Sequence, residues 1–179
     1  MFTLPDLVVR AWGTAERPNL KILLVDDQET VRRALALVFR RLDCSTEVAE
    51  NGREALRLLR QSHYDLVFMD LAMPVMDGLA ATLQIRQERP DGTGPRIIGI
   101  SADSTPGSRA LCLSVGMDDF LAKPLGEREL IRVLHEAALE RAPVESRVEF
   151  ATWTVDATPT AAMSASDPVS IESVVVSWC

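Results

Sequence analysis

Lysine, cysteine, glycine-rich loops and long apolar runs are all scarce in this sequence, and each shortage closes off a class of function. Of its 19 basic residues only Lys21 and Lys123 are lysine, and 26 Asp and Glu outnumber them, giving a formal net charge of −7 over 179 residues. Binding along a phosphate backbone needs clustered positive charge, so nucleic acid is not an expected partner. The three cysteines, Cys44, Cys112 and Cys179, have neither metal-ligand nor redox spacing, and a small secreted scaffold would carry a denser, even set. A reducing cytoplasm fits that usage. No apolar run approaches the roughly 20 residues that cross a bilayer, so no membrane is expected. The opening MFTLPDLVV has no basic residue before its apolar stretch and is broken by Pro5 and Asp6, which makes it a poor signal peptide. A P-loop nucleotide site would need a Gly-rich loop ending in Gly-Lys-Ser/Thr, and there is none.

What is present is regular from residue 19 to residue 141. Short apolar runs alternate there with longer segments of helical period, which predicts a parallel sheet covered by helices. The expected strands are Lys21 to Val25, Cys44 to Ala49, Leu66 to Met69, Arg96 to Ile100 and Asp119 to Ala122. The first, third and fourth are continuously apolar, as strands covered on both faces are, so they should be central. Val31, Ala34, Leu35, Val38 and Leu42 recur at helical spacing, as do Leu130, Val133, Leu134 and Ala137. Ala55 to Leu59, Leu79 to Ile85 after Asp77-Gly78, and Ala110 to Val115 supply three more helices. The last has clear limits: Ser104 or Thr105 as cap, Pro106 in the first turn, Gly116 in the left-handed position beyond it. The sum is an α/β domain of five strand and helix pairs, (βα)5.

The flanks differ. Residues 1–18 read as an extension or linker, and residues 142–179, rich in Ala, Ser, Thr, Val and Pro, as a linker-like, poorly ordered tail. The core segment carries 16 basic and 19 acidic residues, whereas the tail has one against five, so more than half of the net −7 lies in the tail. All three tryptophans, Trp12, Trp153 and Trp178, fall in these flanks, either packing on the domain or anchoring a partner.

In an open α/β sheet the chemistry gathers beyond the carboxyl ends of the strands. The first strand leads into Asp26-Asp27, the third into Asp70, the fourth into Ser101 and the fifth into Lys123-Pro124. Three carboxylates converging at about 5 Å would repel by roughly 3 kcal/mol per pair at an effective dielectric near 20, which a cation relieves. All-oxygen ligands with few protein groups favour Mg²⁺. A carboxylate can also accept a phosphoryl group, with the metal and a neighbouring amine stabilising the transferring charge. Taken singly, each of these groups is better explained by a helix cap, a turn or a solvated surface lysine. Together, at one edge of five ordered strands, they point to phosphoryl transfer onto an aspartate. A dehalogenase-type phosphatase needs a second Asp two residues after its nucleophile, and neither Asp26 nor Asp70 has one. A flavodoxin-like redox binder would carry a Ser/Thr/Gly phosphate loop where this chain has acids.

Through LLVDD, MDLAMPVMDG, IIGISAD and GMDDFLAKP, in that order, residues 19–141 resemble the receiver domain of two-component response regulators. The resemblance implies a flavodoxin-like doubly wound sheet in strand order 2-1-3-4-5. It implies that Asp70 accepts a phosphoryl group from a histidine kinase or a histidine phosphotransfer protein. It also implies that Asp26, Asp27, Asp70 and the backbone carbonyl of Ala72 hold Mg²⁺, with Asp27 the direct ligand of the pair and Asp26 acting through water. Lys123 would pair with the phosphoryl oxygens, its bond to Pro124 would be cis, and Ser101 would donate to the phosphoryl group. Phe120 would turn inward as the switch on the face of the fourth helix, fifth strand and fifth helix, with a downstream protein target and phosphorylation-dependent homodimerisation as readouts. Ala72 and Asp103 occupy the positions that modulate phosphoryl lifetime, and since only Asp103 has a side chain able to orient water, lifetime is expected to depend more on it. Beyond self-phosphorylation and autodephosphorylation no catalytic segment is evident. The wording of the motifs resembles receivers from hybrid sensor histidine kinases; a stand-alone regulator and a phosphorylation-independent scaffold are the alternatives. Elsewhere His63 and His135 read as surface residues. Arg32, Arg33, Arg40 and Arg41 read as a solvated helix face or a docking surface for a phosphodonor, and Met73 to Met76 as a packing or contact loop.

Overall fold

The apolar runs are too short and too β-branched to make helices, and in a computed structural model, which describes residues 19–141, they become five parallel strands. Strand β1 (Lys21–Val25) is followed by α1 (Glu29–Arg41), β2 (Ser45–Ala49), α2 (Gly52–Gln61), β3 (Leu66–Asp70), α3 (Gly78–Glu88), β4 (Arg96–Ser101), α4 (Pro106–Ser114), β5 (Asp119–Ala122) and α5 (Glu127–Arg141). The sheet order is β2-β1-β3-β4-β5, so the three continuously apolar strands are the central ones. Register aligns Val25 with both Ala49 and Met69, Asp70 with Ile100, and Ser101 with Ala122.

Alternation along each strand divides the core into two. Ile22, Leu24, Leu66, Phe68, Ile98, Ile100 and Leu121 pack with Leu35 and Phe39 of α1 and with Leu130, Val133 and Leu134 of α5. The Phe39 and Phe68 rings stack there with centroids 4.9 Å apart. On the other face Leu23, Val25, Val67, Met69, Ile97 and Phe120 meet Ala55 and Leu59 of α2, Ala81 and Ile85 of α3, and Cys112 of α4. Burial pushes the Cys44 thiol up to about 11, so it is a packing residue and not a reactive one.

The caps explain where the helices start. The Asn51 side chain accepts from Glu54 N at 3.0 Å, and Glu54 in turn accepts from Glu50 N at 3.0 Å. Asp77 caps α3 by accepting from Ala80 N at 2.8 Å, and of the two candidates for α4 it is Thr105 that caps, with Pro106 in the first turn and Gly116 beyond the end at φ +98°. Helix α1 has no side-chain cap.

Three strand limits shift by one residue. Strand β2 begins at Ser45 because Cys44 N is still bonded to Phe39 O at 3.0 Å, closing the end of α1. Strands β3 and β4 run one residue further than expected, to Asp70 and Ser101, so both site residues are held in the sheet. In the β3–α3 loop Met76 N donates to Pro74 O at 2.8 Å across Val75, whose φ is +70°, a γ-turn of the strained positive-φ kind. The α3–β4 connection turns at Gly92, φ +76°, flanked by exposed Asp91 and Thr93. Among the described residues no helix is long and apolar enough to cross a membrane. Trp12, Trp153 and Trp178 and both flanks lie outside the described residues.

Candidate functional site

The alternation that divides the core also sorts the chemistry. Counting along each strand, Asp26, Asp70 and Lys123 fall on the α1/α5 side, in step with Leu24, Phe68 and Leu121, while Ser101 falls with Phe120 on the side of α2, α3 and α4. Because Val25 pairs with Met69, Asp26 just beyond β1 and Asp70 at the end of β3 lie side by side. Asp26 is 0% and Asp70 4% exposed, whereas Asp27 is open to solvent. One oxygen from each of the three can lie within 4.8 Å of the others.

Lys123 is the group that makes this tolerable. Its Nζ lies 2.8 Å from Asp26 Oδ2 and 3.0 Å from Asp70 Oδ1, and its own backbone N donates to Ser101 O at 2.7 Å. Burial raises the Asp70 carboxyl, outweighing the Lys123 hydrogen bond that pulls it down. Burial would lower the Lys123 amine, but the bonds to Asp26 and Asp70 outweigh it and leave its pKa raised, so the lysine is firmly an ammonium. Three carboxylates and one ammonium leave a formal charge of −2, and all the free donor atoms are oxygen. That donor set suits a hard divalent cation such as Mg²⁺, and exposed Asp27 leaves room for its waters.

The remaining expected residues lie in or just beyond strands β3, β4 and β5. Ser101 is half-buried, and its Oγ accepts from Asp103 N at 3.0 Å. Phe120 is 7% exposed, packed in the α2–α4 core. The Lys123-Pro124 bond is cis, and Ala72 is exposed in the loop after Asp70. Asp103 lies at the mouth of α4, where its carboxylate accepts from Ser108 Oγ at 2.6 Å and from Thr105 N at 3.0 Å, bonds that hold its pKa below the usual carboxylate value.

Several contacts are invisible in the residue spacing. Arg32, expected on a solvated face, is half-buried and reaches back from α1, its Nη1 donating to Asp26 O at 2.6 Å and Asp27 O at 2.9 Å. Arg33, Arg40 and Arg41 do stay exposed. His135 is half-buried on α5, and burial lowers its pKa, while His63 is exposed. Gly78 is pressed so closely on β3 that a Cβ there would sit 2.2 Å from Asp70 O. Asp119, 5% exposed, is gripped by Arg109 of α4 at 3.0 Å and Arg132 of α5 at 2.7 Å, beside the Phe120 carbonyl to which Arg109 also donates.

A family model described as the response regulator receiver domain matches residues 22–135. The chain is 39% identical over 116 residues to hybrid signal transduction histidine kinase F of Dictyostelium discoideum, a match covering 63% of this chain and 10% of that protein. It is 35% identical over 111 residues to the transcriptional regulatory protein ResD of Bacillus subtilis, covering 62% and 45%. The matches thus span a tenth or less of the hybrid kinases and under half of the regulator. Among solved structures, the receiver domain of sensor histidine kinase PA1611 from Pseudomonas aeruginosa, with a magnesium ion coordinated in its active-site cleft, superposes with a TM-score of 0.61 at 34% identity over 67% of this chain and 98% of that one. The receiver domain of Ssk1 from Saccharomyces cerevisiae, crystallised with the histidine phosphotransfer protein Ypd1, gives 0.68 at 27% over 73% and 96%. The sheet order, the run of strand ends and the matched span agree, and the chain belongs to the response regulator receiver domain family of two-component systems.

Proposed function

We propose that this chain is the phosphoacceptor of a phosphorelay, taking a phosphoryl group onto Asp70 from a histidine kinase or a histidine phosphotransfer protein. The observation that carries the reading is the buried Asp26–Lys123–Asp70 arrangement, open on the Asp27 side. An Asp70 oxygen forms the new O–P bond as the P–N bond of a phosphohistidine breaks, and the imidazole departs with the electron pair. Asp26, Asp27, Asp70 and the Ala72 carbonyl are the residues that would hold Mg²⁺, which when bound neutralises charge on the phosphoryl oxygens. Lys123 moves from its Asp70 oxygen to a phosphoryl oxygen, and Ser101 donates its hydroxyl proton to another. Since Ser101 shares a face with Phe120, a shift of Ser101 toward the phosphoryl group frees space on the α4 side and biases the packing of α4, β5 and α5. That face is the output surface for a downstream protein or a second copy.

Residues 19–141 are the functional domain in this reading, and residues 1–18 and 142–179 connect or extend it. The domain acts in the cytoplasm, within a hybrid sensor kinase or a stand-alone regulator, and has no catalysis beyond its own phosphorylation and dephosphorylation. The test is intact mass after incubation with Mg²⁺ and a small acyl or amido phosphate. A single phosphate adduct is expected on the wild type and none on Asp70→Asn; an adduct that survives in the variant defeats the assignment.

A further inference from the structure

Asp27 presents a problem of placement. Its carboxylate accepts no hydrogen bond among the described residues, while Asp26 is fixed three ways: its N donates to Ala49 O at 3.2 Å, its Oδ1 accepts from Gln28 N at 2.9 Å, and its Oδ2 bonds Lys123 at 2.8 Å. What restrains Asp27 is its backbone. One nitrogen, Arg32 Nη1, takes both the Asp26 and Asp27 carbonyls, at 2.6 and 2.9 Å. This clasp stands where a cap is missing, since Gln28 before α1 makes no side-chain capping bond. Its position is also costly on general grounds, because Arg32 is the fourth residue of α1 and a cation near a helix N-terminus opposes the macrodipole. A guanidinium kept there, half-buried and bonded to the carbonyls of two prospective metal ligands, is accounted for by what it holds.

We propose that Arg32 is a positioning residue for the divalent-cation site, fixing the Asp26–Asp27 backbone so that Asp27 is presented to the metal. The proposal rests on the phosphoacceptor reading and sharpens its metal site. It makes a prediction with an unusual sign. As a bare charge, Arg32 repels a cation, so removing it should tighten Mg²⁺ binding. As a clasp, its removal loosens Asp27 and weakens binding.

Calorimetric titration of the full chain with Mg²⁺ alone, well below the melting temperature, separates the two. Arg32→Met keeps the apolar stem and removes the donors, and its Mg²⁺ dissociation constant should rise about tenfold, the lower end of what outer-shell partners of metal ligands contribute. Arg33→Ala removes a neighbouring exposed arginine paired with Glu29 and should leave binding unchanged or slightly tighter. Thermal melts without Mg²⁺ confirm folding, and Arg32→Lys, which keeps the charge, serves if Arg32→Met does not fold; its binding should also weaken, because the shorter lysine side chain holds its ammonium back from the two carbonyls that Arg32 Nη1 reaches. Unchanged or tighter binding in a folded Arg32 variant overturns the proposal, as does equal weakening in Arg33→Ala. A wild type that binds no Mg²⁺ overturns the phosphoacceptor reading and this inference with it.

Discussion

Replacing Gly78 with alanine should damage fold and chemistry together. The added methyl would stand 2.2 Å from Asp70 O, 2.9 Å from Met69 Cγ and 3.0 Å from Asp70 C. An ordinary carbon–oxygen contact is about 3.3 Å, so the backbones must separate by about 1 Å. Neither side yields easily: Asp70 is in the ladder with Ile100, and Gly78 N is tied to Leu71 O at 3.2 Å. Overpacking of this kind costs about 1–3 kcal/mol, and a clash with strand backbone belongs near the upper end. Alanine's better helix propensity returns at most about 1 kcal/mol, leaving a net loss near 2 kcal/mol. At roughly 4 °C per kcal/mol for a domain of this size, the melting temperature should fall by about 8 °C. Displacing Asp70, the proposed acceptor, by about 1 Å should also slow phosphorylation by around a hundredfold. Gly107→Ala is the control, since its nearest neighbour would be Thr105 Oγ1 at 3.8 Å. It should match the wild type or gain up to about 1 kcal/mol. Calorimetric melting and a phosphorylation time course read both effects. A Gly78→Ala protein that melts within about 1 °C of wild type and is phosphorylated at the same rate refutes the close-packing argument.

Two further outcomes follow from features beside the site. Val75, 70% exposed at φ +70°, spends conformational energy without burying its side chain, so Val75→Gly should leave stability unchanged or raise it by up to about 1 kcal/mol, whereas a loss above about 1 kcal/mol in urea denaturation would contradict the strain. Burial pushes the Asp119 carboxyl up, but the bonds from Arg132, the Phe120 amide and Arg109 outweigh it and leave its pKa below 3.8; its stabilisation is therefore complete above that value and lost as pH falls through the depressed one. Urea midpoints between about pH 6 and pH 3 should fall less for Asp119→Asn than for wild type, and the variant should be about 1–2 kcal/mol weaker at pH 6, discounted because both arginines are half-exposed.

The sheet was legible because burial leaves a plain mark: after the charged Lys21 and Arg96 at their starts, ILLV and IIGI are apolar without interruption, as is LVFM, and these are the strands covered on both faces. The site was legible for a related reason. Strand ends converge in a parallel sheet, so the order of residues after each strand already groups Asp26, Asp27, Asp70, Ser101 and Lys123. What spacing misses is contact made by reaching. Arg32 occupies a helix position that reads as solvated, and only its awkward charge near an N-terminus hints that it bends back to two carbonyls. Gly78 reads as a helix start beside Asp77, and nothing local reveals that Asp70 lies against it. The half-burial of His135 depends on neighbours brought up by the fold, since its own helix would leave it at the margin of the apolar stripe.

The turn at Asp91 to Thr93 has a practical consequence. It joins the end of α3 to the start of β4, so it lies at the edge of the sheet opposite the strand ends that carry the chemistry, and a Cβ on Gly92 would find nothing within 4 Å. Extra chain there gives up only the exposed bonds from Thr93 N and Oγ1 to Asp91 Oδ1, and doubling the loop length adds only about 0.6 kcal/mol of closure entropy. This bend is a port: a fluorophore or small reporter domain grafted between Asp91 and Thr93 would leave the carboxylate cleft, α1 and the α4–β5–α5 face uncovered, and the protein would carry it through a phosphorylation assay.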